Sequence, residues 1–209
     1  MLKKHVVIKP KKMNIPKFDY KNLIFLSLFI SGLIIGLLVI KKDVASINNV
    51  LSSIFENYFI EKGKNEFLYC FINNVSIYII LPVTIFILGL SAVGIPIILL
   101  FPVISGTALG IIIGFLYSAY YLQGLGYAAV VIIPAASIII ATFLKCCIEG
   151  VFMSLEIFFS ITTKNQNKKN INEFKEYCLK FLLFLIPFFV AALINAICFK
   201  LFGNLFLFI

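Results

Sequence analysis

From Phe67 to Leu144 the chain runs for 78 residues without one charged side chain. No soluble fold of this size can hide so long an apolar stretch, so lipid must replace water as its solvent. In lipid every backbone N–H and C=O must find its partner inside the protein, which leaves helices or a closed barrel. The apolar runs here are continuous, not alternating as barrel strands require, so the spans are helices. Length then limits the crossings: two would take about 39 residues each, four would leave under about 20 each with nothing for turns, and three give about 26 each. Turn signals agree with three, Gly89, Ser91, Gly94 and Pro96 forming one break and Gln123, Gly124 and Gly126 the next. The expected spans lie near 67–89, 94–118 and 125–146.

Two further apolar runs flank this stretch. Leu23 to Ile40 holds eighteen uncharged residues closed by Lys41 and Lys42. It exceeds the usual core of a signal peptide and no small-residue cleavage site follows, so it reads as an uncleaved anchor over 23–40. A last span is expected over 179–199, with Pro187 tolerated inside it. The expectation is an all-α, polytopic transmembrane helix bundle of about five spans. It comprises a basic cytoplasmic arm over 1–22 and a single membrane domain over 23–209. Lys145 to Ser160 stays apolar while carrying Lys145, Glu149 and Glu156; it is read as a cytoplasmic extension, followed by a cytoplasmic loop over 161–178.

All eighteen basic residues are lysine, and they gather at Lys3 to Lys21 and Lys164 to Lys180, beside hydrophobic runs. A lysine-rich flank marks the cytoplasmic side, which puts the N-terminus inside and the C-terminus outside. The net charge of +9 therefore points to anionic membrane lipid as a partner and not to nucleic acid. Between the first two spans, residues 41–66 form the one sizeable external segment. Ile47, Leu51, Ile54, Phe55 and Tyr58 recur there at helical spacing. They make an amphipathic face that either lies in the outer membrane interface or docks an extracytoplasmic partner.

The spans lack the inventory of a polar reaction centre. The sole histidine is His5, both aspartates (Asp19 and Asp43) lie outside the spans, and Glu56, Glu61 and Glu66 sit in the external segment. That leaves no nucleophile with a base, no metal ligand set and no cofactor site, so the chain is not expected to be an enzyme. The five cysteines have no zinc or redox spacing and read as small buried hydrophobes. Lys145 and Glu149 stand four apart on one helix face, for which a structural or topological role outweighs ion coupling.

What the spans do carry is a packing device. Gly106, Gly110 and Gly114 stack four apart on one face of the third span, where small residues let helix backbones approach. The ladder could serve packing within the chain or contact with a second copy, a homo-oligomer, because the motif does not say whose helix fills it. Asn73 and Asn74 can hydrogen-bond a neighbouring helix. Pro82, Pro102 and Pro134 break backbone hydrogen bonding at mid-span, a feature of some transporter sites, so a small membrane transporter or a transporter subunit is the alternative. That reading requires Asn73, Asn74, Thr84, Ser105 and Thr107 to converge on one polar cavity.

The ordered set Leu88-Gly89-Leu90-Ser91-Ala92-Val93-Gly94-Ile95-Pro96, then Gly106, Gly110 and Gly114-Phe115-Leu116, then Ile133-Pro134 resembles the core pattern of the stage II sporulation protein M family. These are bacterial polytopic membrane proteins of similar length with five expected spans, so the resemblance covers the chain from first span to last. Many members of the wider family carry a histidine and a glutamate just after the proline corresponding to Pro134. Ala135, Ala136 and Ser137 stand here instead, so any role of those polar residues is missing. The resemblance implies a non-catalytic membrane scaffold in endospore formation. It would act with peptidoglycan hydrolases of the stage II sporulation D and P type while the mother-cell membrane engulfs the forespore. The localisation implied is the bacterial cell membrane, the mother-cell membrane during sporulation. Residues 41–66 are the expected part of the docking surface.

Overall fold

A computed structural model describes residues 20–42, 67–163 and 169–202, and among them every regular element is helical. Of the basic arm expected over 1–22, residues 1–19 lie outside the described residues, as does the external segment with Ile47, Leu51, Ile54, Phe55 and Tyr58, while Tyr20, Lys21 and Asn22 already belong to the first helix. Helix α1 is Tyr20–Lys42, α2 is Phe67–Gly89 and α3 is Gly94–Tyr127. A π-helical turn, Ala128–Ile132, leads into α4, Ile133–Thr163, and α5 is Lys169–Phe202. Four stretches are long and apolar enough to cross a membrane, the third being the 67-residue run Gly94–Ser160.

That run is two passes, not one. Tyr121 breaks it with φ 49° and ψ −128°, and the chain doubles back there. A Cβ added to Gly124 would collide with the carbonyl oxygen of Leu116. The rings of Phe101 and Phe143 stand 6.5 Å apart, whereas a straight helix would separate those residues by about 63 Å. The reversal falls two residues before the break read at Gln123, Gly124 and Gly126. Those glycines instead belong to the start of the returning helix, where Gly124 gives the room the reversal needs. The π turn has a cause in the next residue but one. Pro134 has no N–H to donate, and the Ile133 N–H reaches back to the Ala128 carbonyl, a five-residue step that widens the helix before the proline ring.

The cytoplasmic loop expected over 161–178 is a correction. Helix α4 runs to Thr163 and α5 begins at Lys169, so most of that stretch is helix. No glycine or proline interrupts residues 151–186, and lysine and glutamate are good helix formers, so charge alone gives the chain no reason to stop. The span expected over 125–146 likewise continues as one helix past Glu149 and Glu156.

Helix α4 is the hub, touching α1, α2, α3 and α5, while α1 packs chiefly on α3 and α5 on α2 and α4. The α1–α3 contact is backbone against backbone. On α3 a stripe of buried positions at a four-residue step runs through Gly94, Ile98, Pro102, Gly106, Gly110 and Gly114. On α1 they are Phe25, Phe29, Gly32, Gly36 and Ile40. A Cβ on Gly106 would collide with the Phe29 carbonyl oxygen, one on Gly110 with that of Leu33, one on Gly32 with that of Val103, and one on Gly36 with that of Thr107. Gly114 differs, since a Cβ there would meet the Ile40 side chain at 3.4 Å, an ordinary contact.

The other face of α1 is bare to the surroundings, with Ile30, Ile34 and Leu38 about half exposed, as lipid-facing side chains must be. Gly110→Ala is therefore expected to destabilise the bundle by about 1–3 kcal/mol, the range for overpacking, and Gly114→Ala by no more than about 0.5 kcal/mol. Thermal unfolding of the two variants in detergent checks this, and equal losses would contradict it.

Candidate functional site

The turn between α2 and α3 is where four helices are tied together. At the end of α2 the helix tightens: the Leu90 N–H donates to the Ile87 carbonyl at 3.2 Å and the Ser91 N–H to that of Leu88 at 3.0 Å. A tightened last turn leaves the Phe86 carbonyl without its usual i+4 donor. The Tyr177 hydroxyl of α5 supplies one, donating to it at 3.1 Å. On the other side of the turn the Ser91 carbonyl accepts from the Gly94 N–H at 3.0 Å and from the Ser154 hydroxyl of α4 at 2.5 Å. Ser91 Oγ accepts from the Val93 N–H at 3.3 Å. Ser154 is fully buried and Tyr177 is 4% exposed, so the two donors reach the turn from inside the bundle.

Glycine is required at both ends of this turn by close approach. A Cβ on Gly89 would strike the Tyr177 hydroxyl and come within 3.0 Å of the Gly150 Cα, and one on Gly94 would strike the Leu88 carbonyl oxygen. Pro96 sits in the first turn of α3, where a missing N–H leaves no helical bond unmade. Aromatic stacking holds the tyrosine in place. Its ring lies 5.1 Å from that of Phe86, nearly parallel, and 4.7 Å from that of Phe181.

Towards the other end of the bundle, α2 and α5 share a polar contact. Asn74 Nδ2 donates to Asn195 Oδ1 at 3.3 Å, and Asn195 Nδ2 donates to the Tyr78 hydroxyl oxygen at 3.1 Å. Asn74 is 2% exposed and Asn195 9%. The remaining hydroxyls named above are spent locally. Thr84 donates to the Ile80 carbonyl at 2.7 Å, Ser105 to that of Pro102 at 3.0 Å and Thr107 to that of Val103 at 2.8 Å. Four of the five groups that a transporter would need to bring together, Asn74, Thr84, Ser105 and Thr107, thus serve separate turns and contacts.

At the lysine-rich end, α4 and α5 enclose a cleft of about 260 Å³ whose wall carries Glu149, Glu156, Glu173, Glu176 and Lys180. Lys180 Nζ and Glu149 Oε2 form an ion pair at 2.9 Å. Glu149 therefore pairs across to α5 and not along its own helix with Lys145. Among the described residues no group of three or more histidine, cysteine, aspartate or glutamate side chains could hold a metal ion. Cys146 and Cys147 are fully buried in the core cluster that also holds Ile85 and Ile98.

The glycines singled out in the sequence, Gly106, Gly110 and Gly114, thus lie against α1, and Gly89, Gly94 and Pro96 lie at the turn. The residues the sequence reading missed are Gly32 and Gly36, Ser154, Tyr177 and Asn195. The Gly32-x-x-x-Gly36 spacing was there to be seen. Ser154 and Tyr177 carry no such signal, because each bonds a backbone carbonyl far away in sequence.

Residues 25–198 match the family model described as Stage II sporulation protein M. No curated protein and no solved structure matches the chain.

Tyr177→Phe keeps the stacking and orphans the Phe86 carbonyl, so a loss of about 1–3 kcal/mol is expected. Between Asn74→Ala and Asn195→Ala, a double-mutant cycle should give a coupling of about 0.6 kcal/mol and under about 2 kcal/mol. Chemical unfolding in mixed micelles reads both, and zero coupling would mean the two amides do not meet.

Proposed function

We propose a role from one premise: the chain belongs to the stage II sporulation protein M family, a family of sporulation-related membrane proteins. Its role is that of a non-catalytic scaffold in the mother-cell membrane. It anchors and localises peptidoglycan-degrading partners of the stage II sporulation D and P type while that membrane engulfs the forespore. The observation that supports this over transport is the use of the polar side chains. Asn74, Asn195, Tyr177 and Ser154 hold helices and a turn together, and Thr84, Ser105 and Thr107 are tied to their own helices. A bundle built in this way keeps a fixed shape and offers a platform.

Orientation follows from the helix ends. The start of α1, the α2–α3 turn and the ends of α4 and α5 nearest Lys164 to Lys180 share one end of the bundle, with Lys21 Nζ 3.7 Å from the ring centre of Phe152. The end of α1, the start of α2 and the end of α5 share the other, with Lys200 Nζ 5.7 Å from the ring centre of Phe67. With the lysine-rich end in the cytoplasm, the end of α1 and the start of α2, which segment 41–66 links in sequence, face outward, where peptidoglycan lies. Ile47, Leu51, Ile54, Phe55 and Tyr58 are the residues we assign to docking.

Deleting the gene in the native host is expected to arrest membrane-stained cells at engulfment. A tagged copy should co-purify with peptidoglycan hydrolases. The pair Ile54→Asp and Phe55→Asp should lose that recovery while the amount of protein in the membrane stays the same. Normal spores together with no hydrolase in the purified material would end the proposal.

A further inference from the structure

Two lysines that the bundle leaves without a carboxylate face one cleft. Between α1, α4 and α5, at the lysine-rich end, lies an open cavity of about 260 Å³. Lys21 and Asn22 enter it from the first turn of α1, and Lys145 and Glu149 from α4. Its other walls are apolar: Ile148, Phe152 and Phe184. The acid in this wall is already engaged, since Glu149 pairs with Lys180 at 2.9 Å. Lys145 is exposed, and no described residue gives it an ion pair or a hydrogen bond. Lys21 holds its ammonium over the Phe152 ring, 3.7 Å from the centroid, a cation–π contact that positions the charge without neutralising it. The Glu149–Lys180 pair cancels, and among the described residues that line the cleft two positive charges remain.

Depth decides what can reach them. Lys145 is the first charge after the 78 uncharged residues, and Lys21 the last before the uncharged run of α1. Both therefore stand where a span leaves the hydrocarbon, at the level of lipid headgroups. We propose that this cleft binds an anionic phospholipid. Its phosphate lies between Lys21 and Lys145, with the Asn22 side-chain amide as a further donor, and its glycerol and upper acyl carbons lie against Ile148, Phe152 and Phe184. The apolar wall selects a lipid over free phosphate or an acidic peptide, neither of which would cover it. Basic pockets between transmembrane helices on the cytoplasmic side are a general means of holding such headgroups. The site is independent of the sporulation role and stands or falls apart from it.

The test is native mass spectrometry of the full chain in detergent, titrated with dioleoyl phosphatidylglycerol and, separately, with dioleoyl phosphatidylcholine. Retention of phosphatidylglycerol over phosphatidylcholine is expected. A lysine near an anionic surface is worth about fivefold in binding, so Lys21→Gln with Lys145→Gln should weaken phosphatidylglycerol binding about 25-fold. Lys21→Arg with Lys145→Arg should retain it, and Lys200→Gln, at the opposite end, should leave it unchanged. Thermal unfolding in phosphatidylcholine micelles matching that of the native chain would assign the loss to the site and not to misfolding. Should the glutamine pair fail that check, Lys145→Gln alone is read against Lys175→Gln, and only the former should weaken binding. Equal retention of the two lipids, or an equal loss from Lys200→Gln or Lys175→Gln, would overturn the proposal. So would displacement of the lipid by millimolar inorganic phosphate or by polyglutamate.

Discussion

Helices α1 and α3 can touch along their backbones only because Gly32, Gly36, Gly106 and Gly110 have no Cβ to hold them apart. In water, burial of apolar surface would drive two helices together whatever their side chains. In lipid that drive is absent, and what remains is close van der Waals contact over a complementary surface. The positions of the other helices follow from this contact. With α1 seated on one face of α3, the returning helix α4 packs on α3 across Phe101 and Phe143 and becomes the hub that α2 and α5 join. The first turn of α1 is thereby brought against α4, so Lys21 meets Phe152 and the basic cleft exists at all.

A second constraint runs through the same molecule: backbone groups left over at helix ends must find partners. The turn between α2 and α3 answers it with side chains from two other helices, Tyr177 on the Phe86 carbonyl and Ser154 on the Ser91 carbonyl. Because the two donors come from α4 and α5, satisfying the turn also fixes the lysine-rich end of the bundle. Gly89 is what allows Tyr177 to lie close enough. The asparagine contact between Asn74 and Asn195 does the same work between α2 and α5 away from that end. In both places polarity is used for holding shape.

Much of this was legible in the sequence because lipid leaves so few options. An uncharged stretch of known length must cross a whole number of times, and α2 begins and ends where that arithmetic put it, at Phe67 and Gly89. The four-residue step of Gly106, Gly110 and Gly114 was equally plain. Its partner was harder to see, since Gly32 and Gly36 lie some seventy residues earlier and nothing local says that the two motifs meet. The reversal at Tyr121 escaped because turn rules point to glycine, and here the positive φ falls on a tyrosine while the glycine supplies room for the neighbouring carbonyl. The extent of α4 and α5 beyond their uncharged runs was misread for a different reason. Charge marks where lipid ends, but it does not mark where a helix ends.

A family of sporulation membrane proteins, a five-helix bundle tied by glycine contact and a lysine-rich end form one account in which α1 belongs to its own chain's α3. That is also where it is most exposed to contradiction, since a glycine ladder could as well receive a helix from a second copy. A Cβ on Gly114 would stand 3.4 Å from the Ile40 Cβ, within about 0.1 Å of the lower limit for a disulfide. The direct measurement is oxidative cross-linking of Ile40→Cys with Gly114→Cys in a chain whose five native cysteines are replaced, resolved by denaturing gel and by peptide mapping. With α1 on its own chain's α3, the expected product is a disulfide within a monomer. A covalent dimer, with no intrachain bond, would move the ladder to an interface between copies and undo the arrangement built upon it.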